Sequence, residues 1–167
     1  PGETLAELLS SEAPLEVDRA VSLVRTILGG LETAHDQGII HRDLKPANFI
    51  VEDTDAGETV RILDFGIATA FEPGGERATK LNGWPRYMAQ EQFGGEPVTY
   101  ARDLYAMGVV LYECLTGERP HEGDSTRAIL NSIQRGEIPL PQELCPELEY
   151  SPMLVEVVLK AMENNPE

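Results

Sequence analysis

Apolar residues recur along this chain mostly at the spacing of an amphipathic helix. Within residues 16–37 they fall three or four positions apart, so we predict one long helix there, ended by Gly38. Residues 104–115 are nearly all apolar, which predicts a buried helix ended by Gly117. Shorter patterns predict three further helices, over residues 4–10 with capping-box spacing, 126–135 and 152–162.

The remaining patterns predict two strands and two irregular segments. Short apolar, β-branched runs at 49–51 and 59–62 predict strands, joined through a turn at 53–58 as a hairpin. Three prolines between positions 139 and 146 predict an extended connector, and the polar, glycine-containing stretch 71–83 predicts a loop. The predicted fold class is therefore mainly α, a helical bundle with a short β-hairpin.

Composition and charge narrow the class of protein. The 167 residues are 41% hydrophobic, which fits one globular domain. A formal net charge of −16 argues against nucleic acid and anionic membrane surfaces as partners; a solubilising acidic surface is a simpler explanation than a basic partner. No apolar stretch approaches the roughly 20 residues of a membrane span. Cys114 and Cys145 lack metal-ligand spacing, which favours reduced thiols and a cytoplasmic setting.

Two short motifs concentrate the polar residues that carry chemistry. They are His41-Arg42-Asp43-Leu44-Lys45-Pro46-Ala47-Asn48 and, downstream, Asp64-Phe65-Gly66. Phosphoryl transfer from a magnesium nucleotide needs such a set: a carboxylate to take the acceptor hydroxyl's proton, a cation beside the phosphate, and Asn and Asp oxygens for the metal. The three histidines have no zinc-ligand spacing.

These motifs, in this order, resemble the eukaryotic-type protein kinase family, and Lys45, two residues after Asp43, resembles its serine/threonine branch. The segment from Gly83 to Glu91 resembles the stretch that closes the activation loop in this family. The resemblance implies transfer of the γ-phosphate of ATP, with Mg²⁺, to Ser and Thr hydroxyls of protein substrates. The Pro-Ala pair before Asn48 resembles bacterial members.

The resemblance implies a role for each residue of the site. Asp43 would be the catalytic base, and Lys45 would lie beside the transferred phosphate. Asn48 and Asp64 would hold the metal ions. Ile50 would contribute to the apolar floor under adenine, although a plain core position in a strand explains it nearly as well.

Further residues would support this site. In similar kinases the residue matching His41 packs against the one matching Phe65, and Gly66 would add a flexible joint. Asp103 matches a buried helix residue that accepts backbone hydrogen bonds from the catalytic loop. Glu91 matches a residue that pairs with an Arg further along the chain in relatives.

Arg42 gives a separate hypothesis about regulation. In related kinases the matching Arg pairs with a phosphate on the activation loop and so orders that loop. Thr79 is the first candidate acceptor of such a phosphate, and Thr69 is the second. The alternative is that Arg42 simply caps nearby carboxylates in this acidic chain.

The resemblance covers the larger C-terminal lobe of a kinase. We therefore expect residues 1–167 to be a partial kinase domain, without the small N-terminal lobe and the last helix, with negligible activity alone because nothing would orient the nucleotide. The lobe could also be the cytoplasmic part of a membrane-anchored kinase.

One departure from the family pattern keeps other functions open. Trp84 stands where similar kinases have Thr. It favours an alternative, a non-catalytic, pseudokinase-like or truncated module that binds proteins. A small-molecule phosphotransferase is a weaker third interpretation, because residues 83–91 resemble a platform for protein substrates.

Overall fold

The computed structural model describes residues 2–55, 57–65, 85–94 and 99–163. The predicted loop at 71–83 lies outside these ranges. So do four residues for which roles are predicted, namely Gly66, Thr69, Thr79 and Trp84.

The described residues form a mainly helical protein with one small antiparallel sheet, as predicted. The helices are α1 (Leu5–Glu12), α2 (Val17–His35), α3 (Glu91–Gly94), α4 (Tyr100–Thr116), α5 (Thr126–Arg135), α6 (Pro141–Leu144) and α7 (Pro152–Ala161). The strands are β1 (Glu3–Thr4), β2 (Phe49–Thr54) and β3 (Gly57–Ile62). Two short 3₁₀ turns lie at Pro46–Asn48 and Pro85–Tyr87.

Local sequence signals determine where the helices begin and end. At the start of α1, Glu7 N donates to Thr4 Oγ1 at 3.2 Å, and Thr4 N donates to Glu7 Oε2 at 2.8 Å. Helices α4 and α5 end at glycines in the left-handed region, with φ of 72° at Gly117 and 66° at Gly136. All five predicted helices are present close to their expected bounds, which confirms the spacing argument.

The three strands form a sheet in the order β1-β2-β3. Strands β2 and β3 pair in register from Phe49 opposite Ile62 to Thr54 opposite Gly57. The predicted hairpin is therefore confirmed, with longer strands and a tighter turn than expected. Strand β1 was not predicted, because two residues are too few to show an alternating pattern.

The connector between positions 139 and 146 contains the short helix α6, so the prediction of extended chain throughout it is wrong. Pro141 is the first residue of α6, a position where its missing N–H costs no hydrogen bond. Leu140 N donates to Glu143 Oε2 at 2.9 Å and stabilises the same turn. Together these features outweigh the extended preference of the prolines.

Helix α4 forms the centre of the fold and packs against α2 and α7. A glycine allows the close approach of α7, because a Cβ at Gly108 would lie 2.9 Å from Ala161 Cβ and 3.0 Å from Met162 Cγ. The same helix buries one carboxylate, Asp103, whose exposure is 1%. This arrangement places a charged side chain inside the core, beneath the segment that precedes β2.

Cys114 and Cys145 are both buried and free. Burial raises the pKa of the Cys114 thiol to about 12, which makes this thiol unreactive.

Within the described ranges, no helix combines the length and the apolar character needed to cross a membrane.

Candidate active site

The segment from His41 to Asn48, here called the 41–48 loop, connects α2 to β2 and is held by the buried carboxylate of Asp103. Arg42 N donates to Asp103 Oδ1 at 3.0 Å, and His41 N donates to Asp103 Oδ2 at 2.9 Å. A buried carboxylate is stable only when its oxygens accept hydrogen bonds. The start of the loop is therefore fixed to α4.

Two residues of the site have a backbone conformation that side chains disfavour. The φ angle is 72° at Arg42 and 50° at Asp64, both in the left-handed region. This region costs a non-glycine residue about 1–2 kcal/mol. At Arg42 the hydrogen bond to Asp103 offsets that cost, and such backbone strain clusters at functional sites.

His41 joins the 41–48 loop to the segment that carries the second motif. Its ring is fully buried, and Nε2 lies 2.8 Å from Leu63 O. A carbonyl oxygen can only accept, so Nε2 carries the proton, and Nδ1 accepts a longer bond from Asp43 N at 3.4 Å. The ring also packs against Phe65 with centroids 4.9 Å apart. His41 is thus fully engaged in holding backbone and ring contacts.

Asp43, Lys45 and Asn48 form one hydrogen-bonded group. Lys45 Nζ donates to Asp43 Oδ2 at 2.7 Å. Asn48 Nδ2 donates to Asp43 O at 2.7 Å and to Asp43 Oδ2 at 3.3 Å. The Asp43 side chain is 49% exposed, whereas that of Lys45 is 16% exposed. A carboxylate is therefore presented to solvent with a less exposed ammonium group beside it.

Backbone contacts bring the two sequence motifs together. Leu63 N donates to Asn48 O at 2.8 Å, and Leu63 O accepts the bond from His41 already described. Asp64 is the next residue after Leu63 and is exposed. The first residue of the second motif therefore lies beside the 41–48 loop, although it is 16 positions after Asn48 in the chain.

The donor set fits a hard divalent cation of the magnesium type. The NH₂ group of Asn48 is held by Asp43, which leaves the carbonyl oxygen Oδ1 as the atom suited to a cation. Asp64 adds a carboxylate that is open to solvent. In the part of the chain that is described, no group of three or more His, Cys, Asp or Glu side chains could hold a metal alone. A site of this kind takes its remaining ligands from phosphate and water.

Two other predicted site residues, Ile50 and Glu91, are in secondary-structure elements that the structure describes. Ile50 is the second residue of β2 and is half-buried, opposite Thr4 of β1 and Arg61 of β3. Glu91 is the first residue of α3, and its charge adds to burial in raising the pKa of Tyr105. Gly66 and Thr79 lie outside the described ranges.

Two side-chain contacts of histidines could not be predicted from the sequence. His35, expected only to be packed or at the solvent edge, lies with Nε2 2.8 Å from Asp103 Oδ2. His121, expected in a loop, is in one but is only 1% exposed, with Nδ1 3.2 Å from Ser132 Oγ. The position of His35 on the inner face of α2 was the available signal, but spacing does not identify a partner 68 residues away.

A cleft of about 280 Å³ opens beside Lys45 and is bordered by Tyr87, Glu113 and Arg119. Tyr87 Oη donates to Glu113 Oε2 at 2.6 Å. Burial raises the pKa of Glu113, and the hydrogen bond from Tyr87 partly opposes that rise. The 3₁₀ turn that contains Tyr87 is thereby fixed to α4 next to the 41–48 loop.

Comparison with known proteins identifies the relatives of this chain. The sequence model of the protein kinase domain family matches residues 1–167. Serine/threonine-protein kinase pkn3 of Myxococcus xanthus is 39% identical over 171 residues, which cover 99% of this chain and 31% of that protein. The Mycobacterium tuberculosis kinases PknD and PknB are 40% and 39% identical over 99% of this chain, covering 24% and 26% of their own lengths. The chain thus spans about a quarter to a third of these bacterial relatives.

Proposed function

The chain belongs to the protein kinase family, and we propose that it is the catalytic lobe of a serine/threonine kinase that transfers the γ-phosphate of ATP to protein Ser and Thr hydroxyls. The observation that carries the proposal is the contact of Asp43 with Lys45 at 2.7 Å, with the Asn48 amide beside both. Residues 1–167 would correspond to the larger lobe of the kinase domain. Its substrates would be proteins, as the names of the relatives suggest.

In this proposal Asp43 acts as the base for the acceptor hydroxyl. Its Oδ2 already accepts bonds from Lys45 and Asn48, so Oδ1 is the oxygen that would accept the hydroxyl proton. Both donors limit rotation of the carboxylate. A base held in one orientation lowers the entropy cost of bringing the reacting groups together.

Lys45 would act on the phosphate as a point charge. Its ammonium group is 2.7 Å from Asp43, so it lies close to the site of proton transfer. In the proposed complex the same ammonium would also hold an oxygen of the phosphoryl group. Placing a fixed cation where negative charge develops stabilises the transition state.

Asn48 and Asp64 would hold magnesium bound to the nucleotide. Asn48 would offer its Oδ1, and Asp64 would offer its exposed carboxylate. When bound, Mg²⁺ would neutralise phosphate charge. Ile50 is proposed to lie near the base of the nucleotide, on the strand that directly follows Asn48.

Arg42 is proposed to have a regulatory role. Its backbone is fixed by Asp103, and its side chain is exposed next to the proposed base. An exposed guanidinium at this place is suited to a phosphate on Thr79.

The test is phosphate transfer by the full-length protein. With radiolabelled ATP and Mg²⁺, we expect labelling of a basic test protein, and we expect Asp43→Asn to reduce kcat by about 10²–10⁴-fold, the usual contribution of a positioned base. Asp53→Asn on the exposed end of β2 is the matched control and should keep normal kcat.

Two results would contradict this proposal. Equal activity in Asp43→Asn and Asp53→Asn would reject Asp43 as the base. A full-length protein that is folded, binds no ATP and transfers no phosphate would instead support the non-catalytic, protein-binding alternative.

A further inference from the structure

The cleft beside Lys45 is bordered by the carboxylate of Glu113, which helix α4 contributes. Tyr87 Oη donates to Glu113 Oε2 at 2.6 Å. A hydroxyl donates one hydrogen bond and carries no charge, so the negative charge of an ionised Glu113 is not compensated by Tyr87. Because this carboxylate is partly buried, it attracts a nearby cation more strongly than a carboxylate in bulk water does.

Arg119 supplies a cation of this kind from the chain itself. It lies in the loop after α4 and borders the same cleft as Glu113. Burial raises the pKa of Glu113, and the charge of Arg119, together with the hydrogen bond from Tyr87, opposes that rise. The guanidinium therefore lies close enough to the carboxylate to compensate part of its charge.

Two other residues restrict where Arg119 can lie. Arg119 Nε donates to Glu122 Oε1 at 2.7 Å. Glu122 Oε2 in turn lies 3.4 Å from Arg86 Nε, and Arg86 Nη2 donates to Gly123 O at 3.5 Å. Each of these partly exposed contacts is weak alone, but together they anchor one edge of the Arg119 guanidinium. Its terminal NH₂ groups remain as the donors that can face the cleft.

The cleft lies where a side chain of a peptide substrate would pass. Lys45 borders the cleft and donates at 2.7 Å to Asp43, the proposed base. A peptide whose Ser or Thr hydroxyl reaches Asp43 must place its neighbouring residues along the surface next to Lys45. A volume of about 280 Å³ is at the small end of the range for ligand pockets, which suits a single side chain.

We propose that Arg119 determines substrate specificity by occupying the place next to Glu113 that a Lys or Arg of the peptide would otherwise take. This inference rests on the proposed function, because that function requires a peptide at this surface. A basic side chain that enters the cleft meets the like charge of Arg119, whereas an uncharged side chain meets no such repulsion. Without Arg119 the same cleft offers the carboxylate of Glu113, and the preference reverses in favour of basic side chains.

The experiment compares three variants of the full-length protein. Arg119→Ala removes the guanidinium from the cleft. Arg25→Ala is the matched control, because it removes the same group from an exposed position of α2, a helix of which no described residue borders the cleft. The double variant Arg119→Ala/Glu113→Gln also removes the carboxylate charge but keeps an oxygen that accepts from Tyr87. The substrates are peptides with one Ser acceptor, in which Lys replaces Ala at each neighbouring position in turn.

We expect Arg119→Ala to raise the ratio of kcat/KM for the Lys-containing peptide to that for its Ala counterpart by about 10-fold at one position, mainly through KM. Arg25→Ala should have the preference of the unmodified protein at every position, and the double variant should lose the gain. An unchanged preference in Arg119→Ala, an equal gain in Arg25→Ala, or a gain that persists in the double variant would overturn the proposal.

Peptide binding separates this inference from the proposed function. Fluorescence anisotropy with labelled forms of the same peptides, in the absence of ATP, needs no phosphate transfer. Tighter binding of the Lys-containing peptide by Arg119→Ala, lost in the double variant, would support the role of Arg119 even in a protein that transfers no phosphate. Equal affinity of all three variants for that peptide would overturn it, whether or not the protein is a kinase.

Discussion

Asp103→Asn should destabilise the protein far more than any exposed Asp→Asn change. The substitution keeps the size of the side chain but replaces one acceptor oxygen by an NH₂ donor. In the best orientation the amide oxygen takes the place of Oδ2 and still accepts from His41 N and His35 Nε2. The NH₂ group then faces Arg42 N, so two donors meet without an acceptor.

The magnitude follows from the bonds that change. A hydrogen bond to a charged group contributes about 1.5–3 kcal/mol, and the bond from Arg42 N is lost. The two remaining bonds lose their charge assistance, which roughly halves their strength. Relaxation of Arg42 from the left-handed region returns about 1–2 kcal/mol. The net loss in free energy of unfolding is about 3 kcal/mol, or about 6–12 °C in Tm for a domain of this size.

The assay is thermal and urea unfolding of the full-length protein, followed by hydrogen exchange at the Arg42 amide. Asp124→Asn is the matched control, because it makes the same chemical change at an exposed position. We expect the Arg42 amide to lose protection before other amides of the 41–48 loop. The reasoning is refuted when Asp103→Asn and Asp124→Asn differ by less than about 0.5 kcal/mol, the usual range for surface changes.

Two further predictions concern the core. Burial lowers the pKa of His121 to about 4, below its unfolded value near 6.5, so the stability from the neutral imidazole is complete above pH 6.5 and is lost as the pH falls toward 4. His121→Phe should therefore flatten the free energy of unfolding against pH in that window by up to about 1.4 kcal/mol per unit, measured by urea unfolding at each pH; an unchanged slope would contradict this. Gly108→Ala places a methyl group 2.9 Å from Ala161 Cβ, so we expect a loss of about 1–3 kcal/mol in calorimetry, whereas Gly29→Ala, with open space around it, should cause none.

The helices could be predicted because their signals are local. Helix α5 begins at the Ser125 cap and ends at the left-handed Gly136, and both signals are visible in a short stretch of sequence. Strand β1 and helix α6 could not be predicted in the same way. The two residues of β1 owe their strand conformation to pairing with β2, and the single turn of α6 depends on the hydrogen bond that Leu140 N donates to the Glu143 side chain.

The same difference between local signals and long-range contacts applies to the candidate site. Asp43, Lys45 and Asn48 lie within six residues, so their proximity follows from the sequence alone. The role of Leu63 could not be predicted in this way, because its side chain has no polar group. Its importance comes from its backbone, which bonds to Asn48 and His41 across the fold. The identity of a residue does not show which backbone hydrogen bonds it makes across the fold.

The residues that position the loop should therefore differ from the proposed catalytic residues in how activity and stability change together. Asp43 is half exposed and its charge is offset by Lys45, so Asp43→Asn should remove activity with little loss of stability. Asp103 is buried and reaches the loop only through backbone N–H groups, so its substitution should reduce both together. A variant of Asp103 that lost activity at full stability would mean that the carboxylate acts on the chemistry directly, and the separation of positioning from catalysis argued from these hydrogen bonds would be wrong.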